Sequence, residues 1–150
     1  MAARVTVVAL EPRFRVSQSQ FVKLGEQLLR VTKARGHFSI FLLGDKFLKN
    51  FGLRLRQRYA ETKNLSSKKP PKSFDVLAFP EASNFPDPEN DQVNIGEVYL
   101  HLEEIERRGA NPLNLLVHGY LHLIGYRHNR KSDRIAMEKM EKKLIRLIRA

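Results

Sequence analysis

The sequence of 150 residues contains no cysteine. This absence excludes a disulfide scaffold and any zinc site built on thiolates. Long apolar runs are also missing, since the longest, residues 38–43, includes a serine and is far shorter than the roughly 20 residues that a membrane span needs. The N-terminus lacks an apolar leader with a small-residue cleavage site, so we expect a protein that is not exported. The sequence therefore predicts one cytoplasmic domain over residues 1–150, with no membrane partner.

Acidic residues are few compared with basic ones: 16 Asp and Glu stand against 27 Lys and Arg, for a net charge of +11. Residues 46–72 hold nine Lys or Arg and one acid, and residues 127–149 hold nine and three. Residues 81–106, in contrast, hold eight acids and no Lys or Arg. Two separate basic stretches favour a polyanionic partner that approaches from particular sides. Solvated helix faces are the alternative explanation of this charge.

Short β-branched or apolar runs alternate with amphipathic segments, which predicts strands interleaved with helices in an α+β or α/β layered domain. Polar, proline-containing stretches at 62–72 and 81–91 predict two mobile loops. The first helix is expected to end near Gly36, and Asp45 is expected to cap the second helix with its carboxylate. Strands are predicted at residues 4–10, 38–43, 74–79 and 92–100, and helices at 19–34, 45–61, 102–108, 111–125 and at the C-terminus.

Three of the five histidines fall within eleven residues, at positions 118, 122 and 128. Asn111 and Gly125 are typical of the two ends of a helix. Within that helix His118 and His122 are four residues apart, so both imidazoles project from one face. A bend at Gly125 could return His128 to the same face. Three imidazoles with a fourth position left for water or substrate are typical of an open metal site.

Neutral imidazole suits Zn²⁺, although Ni²⁺, Co²⁺ and Cu²⁺ also accept nitrogen ligands. The alternative is that His118 and His122 pack as partly buried core residues while His128 is a surface residue. The spacing also matches the zinc-protease motif HExxHxxGxxH, except that Gly119 stands where such a protease has its glutamate base. A metallopeptidase would therefore need a carboxylate from elsewhere in the chain.

Residues 118–128, HGYLHLIGYRH, resemble the HGxLHLxGYDH signature of the YbeY family of metal-dependent endoribonucleases. Three further segments agree in order with that family. NFGLR at 50–54 resembles its LNxxYR stretch, DVLAFP at 75–80 its TDVLSFP stretch, and IGEV at 95–98 its LGDI stretch. The resemblance covers most of the chain from about Asp45 onward. It implies a YbeY-like α+β fold, in which a small mixed sheet of about four strands packs with about five helices.

The resemblance also implies what the protein does. A metal, Zn²⁺ first, would be held by His118, His122 and His128. The implied activity is cleavage of single-stranded RNA, in 3′-end maturation of small-subunit ribosomal RNA and in ribosome quality control. The implied partners are accordingly single-stranded RNA, small-subunit rRNA and the ribosome. The arginine that engages the scissile phosphate would be Arg54, with Arg58 as the alternative.

The sequence departs from the family pattern at several positions. Arg127 stands where the family has an aspartate, and it could raise phosphate affinity or disfavour the metal by repulsion. Phe74 and Ala78 replace a threonine and a serine of the TDVLSFP stretch. About a dozen residues are inserted between Arg54 and Asp75. These departures weaken the transfer of mechanism more than the transfer of fold.

The roles of three other residues stay open. Phe85 and Tyr126 could stack on unpaired bases, or they could pack in the core or anchor a loop. Glu97 could support the metal site or act as a general base, or it could pair with a nearby Lys or Arg. Because the sequence offers no clear general base, a non-catalytic RNA- or ribosome-binding protein with a structural zinc site is the alternative function.

Overall fold

The computed structural model describes residues 4–62, 73–81 and 93–149 of the chain. Apart from Thr62 and Glu81, the predicted mobile loops at 62–72 and 81–91 lie outside these residues, as does Phe85. Among the described helices, none combines the length and the apolar composition needed to cross a bilayer. The elements in chain order are β1 (Val5–Ala9), a 3-10 helix (Pro12–Ser17), α1 (Gln18–Val31), β2 (His37–Leu43), α2 (Asp45–Thr62), β3 (Val76–Pro80), β4 (Asn94–His101), α3 (Leu102–Arg107), α4 (Pro112–Leu123) and α5 (Lys131–Arg149).

The four strands form one sheet in the order β1-β2-β4-β3. β1, β2 and β4 run parallel to one another, whereas β3 pairs with β4 in the antiparallel sense. Over the described residues, this mixed sheet with five α-helices confirms the predicted α+β fold. β3 lies at one edge of the sheet, and the candidate site forms along it.

The sheet is covered on both faces. Helices α1 and α4 pack on one face, and α5 packs on these two helices. Ile40 and Leu100 on this face are fully buried. Helix α2 covers the other face, where the Phe41 and Tyr99 rings stack with centroids 4.6 Å apart. Each large apolar side chain that is fully buried stabilises the fold by about 1.5–3 kcal/mol. This two-sided packing fixes the position of α4 relative to β3.

Helix α1 ends at Val31, before the predicted end near Gly36. The reason is that Lys33 adopts a left-handed conformation, with φ +54°, so the chain turns before it reaches the glycine. A Schellman motif results, which satisfies carbonyl groups of the last helical turn. Its two backbone hydrogen bonds run from Lys33 to Arg30 (3.2 Å) and from Ala34 to Leu29 (3.0 Å).

The first N–H groups of α2 are capped by residues from other parts of the chain. The buried carboxylate of Glu11 accepts hydrogen bonds from the backbone N–H of Gly44 (2.6 Å) and of Phe47 (3.1 Å). Glu103 accepts one from the N–H of Asp45 at 2.7 Å. The prediction that Asp45 caps α2 with its own carboxylate is therefore wrong, because Asp45 is already the first helical residue.

The Asp45 carboxylate binds Arg107 instead. The two guanidinium nitrogens of Arg107 donate to it at 2.7 and 2.9 Å, and the Nε2 atom of His101 lies 3.1 Å away. Chiefly because of the Arg107 hydrogen bonds, the pKa of Asp45 is lowered from its ordinary 3.8 to about 2. This ion pair joins the start of α2 to the end of α3.

Candidate metal centre

Two histidines of the motif lie on α4, whose boundaries follow the predicted signals. The side chain of Asn111 accepts a hydrogen bond from the Leu113 N–H at 2.9 Å, and Pro112 is the first helical residue. His118 and His122 project from one face of this helix, with their Nε2 atoms 3.2 Å apart. Their rings meet edge to face, with centroids 4.7 Å apart. The helical spacing thus brings the two imidazoles together as predicted.

The other nitrogen of each ring is held by the protein. The Nδ1 atom of His118 lies 2.6 Å from a carboxylate oxygen of Glu141 on α5. The Nδ1 atom of His122 lies 3.0 Å from the backbone carbonyl oxygen of Tyr126. Because a carboxylate and a carbonyl can only accept, both Nδ1 atoms must donate. In the neutral rings, the lone pairs are then on the two Nε2 atoms that face each other.

The turn after α4 carries the third histidine. Gly125 has φ +107°, a conformation that favours glycine, and it closes the helix with a second Schellman motif. This turn places the His128 ring 5.0 Å from the His122 ring and 6.0 Å from the His118 ring, between centroids. One nitrogen from each of the three rings lies within 4.8 Å of the others. The structure therefore brings together all three predicted ligands.

The donor set fits a divalent ion that prefers nitrogen. Two ligands at the usual Zn–N distance of about 2.0–2.1 Å, at a tetrahedral angle, lie about 3.3 Å apart. The observed Nε2 separation of 3.2 Å between His118 and His122 matches that value. Two imidazole lone pairs at this distance repel each other unless a cation lies between them. His128 is exposed on its turn, so its ring has room to rotate toward the other two.

The histidines line an open cleft that follows the edge strand β3, from Asp75 to Glu81. Burial raises the pKa of the Tyr59 phenol at the cleft, so this group is protonated at neutral pH and can donate a hydrogen bond. Tyr126 lines the cleft as well, and it is partly buried against the hydrophobic core, as the packing alternative predicted. The other charged and polar side chains of the lining are Arg35, Asp75, Glu81, Arg127 and Asn129.

Sequence reasoning missed two residues of this site. Glu141 was not singled out, because nothing in the sequence pairs a residue of α5 with a histidine 23 positions earlier. Arg35 was not singled out, because it lies at the predicted end of the first helix and nothing in the local sequence links it to the histidines. Only the packing of α5 on α4 and the early end of α1 bring them to the cleft.

Arg54 and Arg58 lie on α2, which covers the opposite face of the sheet. Arg58 donates to Glu97 at 2.6 Å and to the Tyr99 hydroxyl at 3.2 Å, and its guanidinium carbon lies 4.2 Å from the Phe79 ring centroid. The ion-pair interpretation of Glu97 is therefore confirmed. Arg54 is exposed and, among the residues that the structure describes, is not part of the cleft lining. Its contact with the scissile phosphate stays a prediction.

Gly119 marks the position where a zinc protease has its glutamate. A β-carbon added there would lie 2.9 Å from a methyl group of Val98 and 3.1 Å from one of Val76. A side chain at this position would therefore point into the packed surface of the sheet. The glycine permits α4 to lie close to the strands, and the position offers no room for the carboxylate of that protease mechanism.

Comparison with known proteins gives a consistent result. The sequence profile of the family described as "Endoribonuclease YbeY" matches residues 55–149. A protein named endoribonuclease YbeY from Wigglesworthia glossinidia brevipalpis is 34% identical, over 73% of this chain and 76% of its own length. Proteins of the same name are 26% identical in a Wolbachia strain from Drosophila simulans (78% and 72% covered) and in Dehalococcoides mccartyi (89% of each).

These matches confirm the predicted family and, at the level of the family, the prediction of an RNA-cleaving hydrolase. The matched residues include all of α4, the Gly125 turn and α5, which together build the three-histidine site. The chain belongs to the YbeY family of endoribonucleases.

Proposed function

We propose that this protein is a metal-dependent, single-strand-specific endoribonuclease of the cytoplasm. Its substrate would be the 3′ end of small-subunit rRNA, in maturation and in ribosome quality control, and the ribosome would be its partner. The observation that carries this proposal is the convergence of His118, His122 and His128 in an open cleft. The names of the relatives support the reaction type, since each is called an endoribonuclease.

The three histidines would hold the ion, and Zn²⁺ suits their nitrogen donors best. When bound, such an ion polarises a phosphate oxygen and lowers the pKa of a water molecule. The Glu141 carboxylate and the Tyr126 carbonyl orient the His118 and His122 rings through their Nδ1 atoms. The protein thereby presents two Nε2 lone pairs to one point.

The charge of the described surface supports an RNA substrate. Arg127, in the lining, can bind the strand through its phosphates, and Tyr126 beside it offers a ring on which an unpaired base can stack. Arg54 is the proposed contact to the scissile phosphate, and replacing this arginine would test that contact. Helix α5 adds a basic face, with exposed side chains at Lys131, Arg134, Lys139, Lys142, Lys143 and Arg146.

A non-catalytic RNA-binding protein with a structural zinc site is the competing explanation. Structural zinc is closed by four protein ligands, whereas catalytic zinc keeps one position open. Within the described residues, the cluster at the cleft consists of three histidines, and one of them is exposed. This arrangement supports the catalytic interpretation.

The decisive experiment compares wild type with His122→Ala on an end-labelled single-stranded RNA, with metal content measured on the same samples. His37→Ala is the matched control, because His37 is a histidine of β2 outside the cleft lining. We expect His122→Ala to lose bound metal and at least about 100-fold in cleavage rate, since the ion contributes several kcal/mol to the transition state. His37→Ala should retain both.

Circular dichroism of each variant is the control that shows whether it is folded. If His122→Ala loses its metal but cleaves RNA as fast as wild type, the observed cleavage does not come from this site. The protein would then be an RNA-binding protein whose metal is structural. A double-stranded RNA of the same sequence tests strand specificity, and it should remain uncut.

A further inference from the structure

Arg35 is a cation of the cleft that the proposed mechanism does not use. It lies in the turn between α1 and β2, and its side chain is exposed in the lining of the same cleft as His118 and His122. Across residues 4–62, 73–81 and 93–149, its guanidinium makes no ion pair or hydrogen bond. An arginine offers five N–H donors in a fork that matches the oxygens of a phosphate. Arg35 therefore presents an unused anion-binding group in the same cleft as the histidines.

The backbone that carries Arg35 is held on both sides. The guanidinium of Arg4 donates a hydrogen bond to the carbonyl oxygen of Gly36 at 3.1 Å. It donates a second hydrogen bond to the carbonyl oxygen of Ala34. On the far side, the carbonyl of Val93 accepts the N–H of His37 at 2.8 Å. The Schellman motif at the end of α1 fixes the preceding turn. Arg35 is thus an exposed side chain on a backbone with little freedom.

Arg35 also lies against Gly36, whose conformation forces this geometry. Gly36 has φ +102°, and a β-carbon there would lie 2.3 Å from the Val93 carbonyl oxygen. The turn therefore packs tightly on the chain that enters β4. This close contact keeps Arg35 at the end of the cleft near Val93 and Ile95, which also belong to the lining.

Neither of the two carboxylates in the described lining pairs with Arg35 or Arg127. Asp75 pairs with Arg108 at 3.2 Å, and Glu81 accepts from the side-chain amide of Asn94 at 3.5 Å. Arg127, the second arginine of the lining, likewise has no ion pair or hydrogen bond to a described residue. The cleft therefore has two arginines available for an anionic ligand.

We propose that Arg35 binds a phosphate of the RNA strand other than the one that is cut, at its own end of the cleft, and thereby positions the strand over the three histidines. This inference rests on the proposed function, and it assigns one contact of the substrate. Arg35 is a positioning residue, because it holds a phosphate away from the reacting atoms. Its contribution should appear in RNA affinity and in KM, with kcat and metal content nearly unchanged.

The test measures binding of a fluorescent single-stranded RNA to protein whose metal has been removed with a chelator, over a range of salt concentrations. Arg35→Gln should weaken binding about tenfold at low salt, as expected for a lost hydrogen bond to a charged group. It should also reduce the slope of log affinity against log salt by about 0.7, the value for one phosphate of a single strand. Arg35→Lys should restore the slope, since it keeps the charge, and only part of the affinity.

The matched control is Arg30→Gln, since Arg30 is an exposed arginine of α1 outside the cleft lining. If Arg35→Gln weakens binding no more than Arg30→Gln does, Arg35 makes no phosphate contact and the inference is overturned. A cleavage assay of wild type and Arg35→Gln distinguishes a failure of this inference from a failure of the proposed function. RNA binding that depends on Arg35 without any cleavage supports the contact and removes the endoribonuclease, whereas cleavage with an unchanged KM in Arg35→Gln removes the contact alone.

Discussion

The Nδ1 atom of His118 lies 2.6 Å from a carboxylate oxygen of Glu141. His118 belongs to α4 and Glu141 to α5, so this contact ties the C-terminal helix to the candidate metal centre. A carboxylate in this position fixes which ring nitrogen carries the proton and raises the basicity of the other. The last helix therefore contributes to the site as well as to the core.

We expect Glu141→Gln to weaken metal binding by about 10–100-fold, the usual effect of losing such an outer partner. The reason is that an amide accepts a weaker hydrogen bond from Nδ1 than a carboxylate does. The measurement is a competition titration of zinc against a chromophoric chelator at constant pH.

Glu138→Gln provides the control for this prediction. Glu138 is an exposed acid one helical turn earlier on α5. Replacing it with glutamine removes the same charge without changing a contact to a histidine. Equal zinc affinities for the two variants would show that the Glu141 carboxylate contributes only its long-range charge.

Two helical glycines should respond in opposite ways to alanine. Gly119→Ala is expected to lower the free energy of unfolding by about 1–2 kcal/mol, because the new methyl group overlaps Val98 at 2.9 Å. Gly52→Ala should raise the free energy of unfolding by about 0.5–1 kcal/mol. Its methyl group would lie 3.4 Å from the nearest side-chain atoms of Leu48, which is an ordinary contact. Urea unfolding of both variants checks the signs. A stabilised Gly119→Ala would mean that α4 can move away from the sheet without loss.

Gly125 and Gly109 form a second matched pair. Both follow a helix with positive φ, +107° and +66°, and a β-carbon at either would meet nothing within 4 Å. Alanine should therefore destabilise the protein by about 1–2 kcal/mol at Gly125, and by no more than that at Gly109, through backbone strain alone. Only the Gly125 turn leads to His128, so zinc affinity should fall in Gly125→Ala and remain at the wild-type value in Gly109→Ala. The same zinc titration decides this, and a loss of affinity in both variants would contradict it.

The ion pair between Asp45 and Arg107 should make the free energy of unfolding depend on pH below about pH 4. The pKa of Asp45 is about 2 in the folded chain and 3.8 in its ordinary state, so the carboxylate stabilises the fold above about pH 4. This contribution is lost as the pH falls toward 2, because the unfolded chain then binds the proton first. Urea unfolding of wild type and Asp45→Asn from pH 6 to pH 2.5 measures it. The difference between them should be constant above pH 5 and should shrink below pH 4, whereas a difference that is constant throughout would exclude the effect.

The sequence was sufficient for the parts of the site that depend on neighbours along the chain. The spacing of His118 and His122 and the signals at Asn111 and Gly125 are local, and the structure places them as predicted. In contrast, Glu141 reaches His118 only because α5 packs on α4, a long-range event with no local signal.

The end of α1 and the start of α2 show why other predictions were wrong. Lys33 adopts the left-handed conformation, which is uncommon for a residue with a β-carbon. The glycine three positions later was therefore the expected end of α1. At α2, the caps come from Glu11 and Glu103, which are distant in sequence from Asp45. Both features arise from tertiary contacts that residue type alone does not reveal.

The hydrogen bonds from His118 and His122 to Glu141 and Tyr126 have a thermodynamic consequence. Because these rings are oriented by protein groups, most of the entropy of ordering them is lost when the chain folds, before any ion binds. Ion binding and folding are then weakly coupled, unlike in a zinc finger, which is unfolded without its metal. A chelator should therefore leave the secondary structure intact, and added zinc should raise the melting temperature only by mass action, in proportion to the logarithm of its concentration.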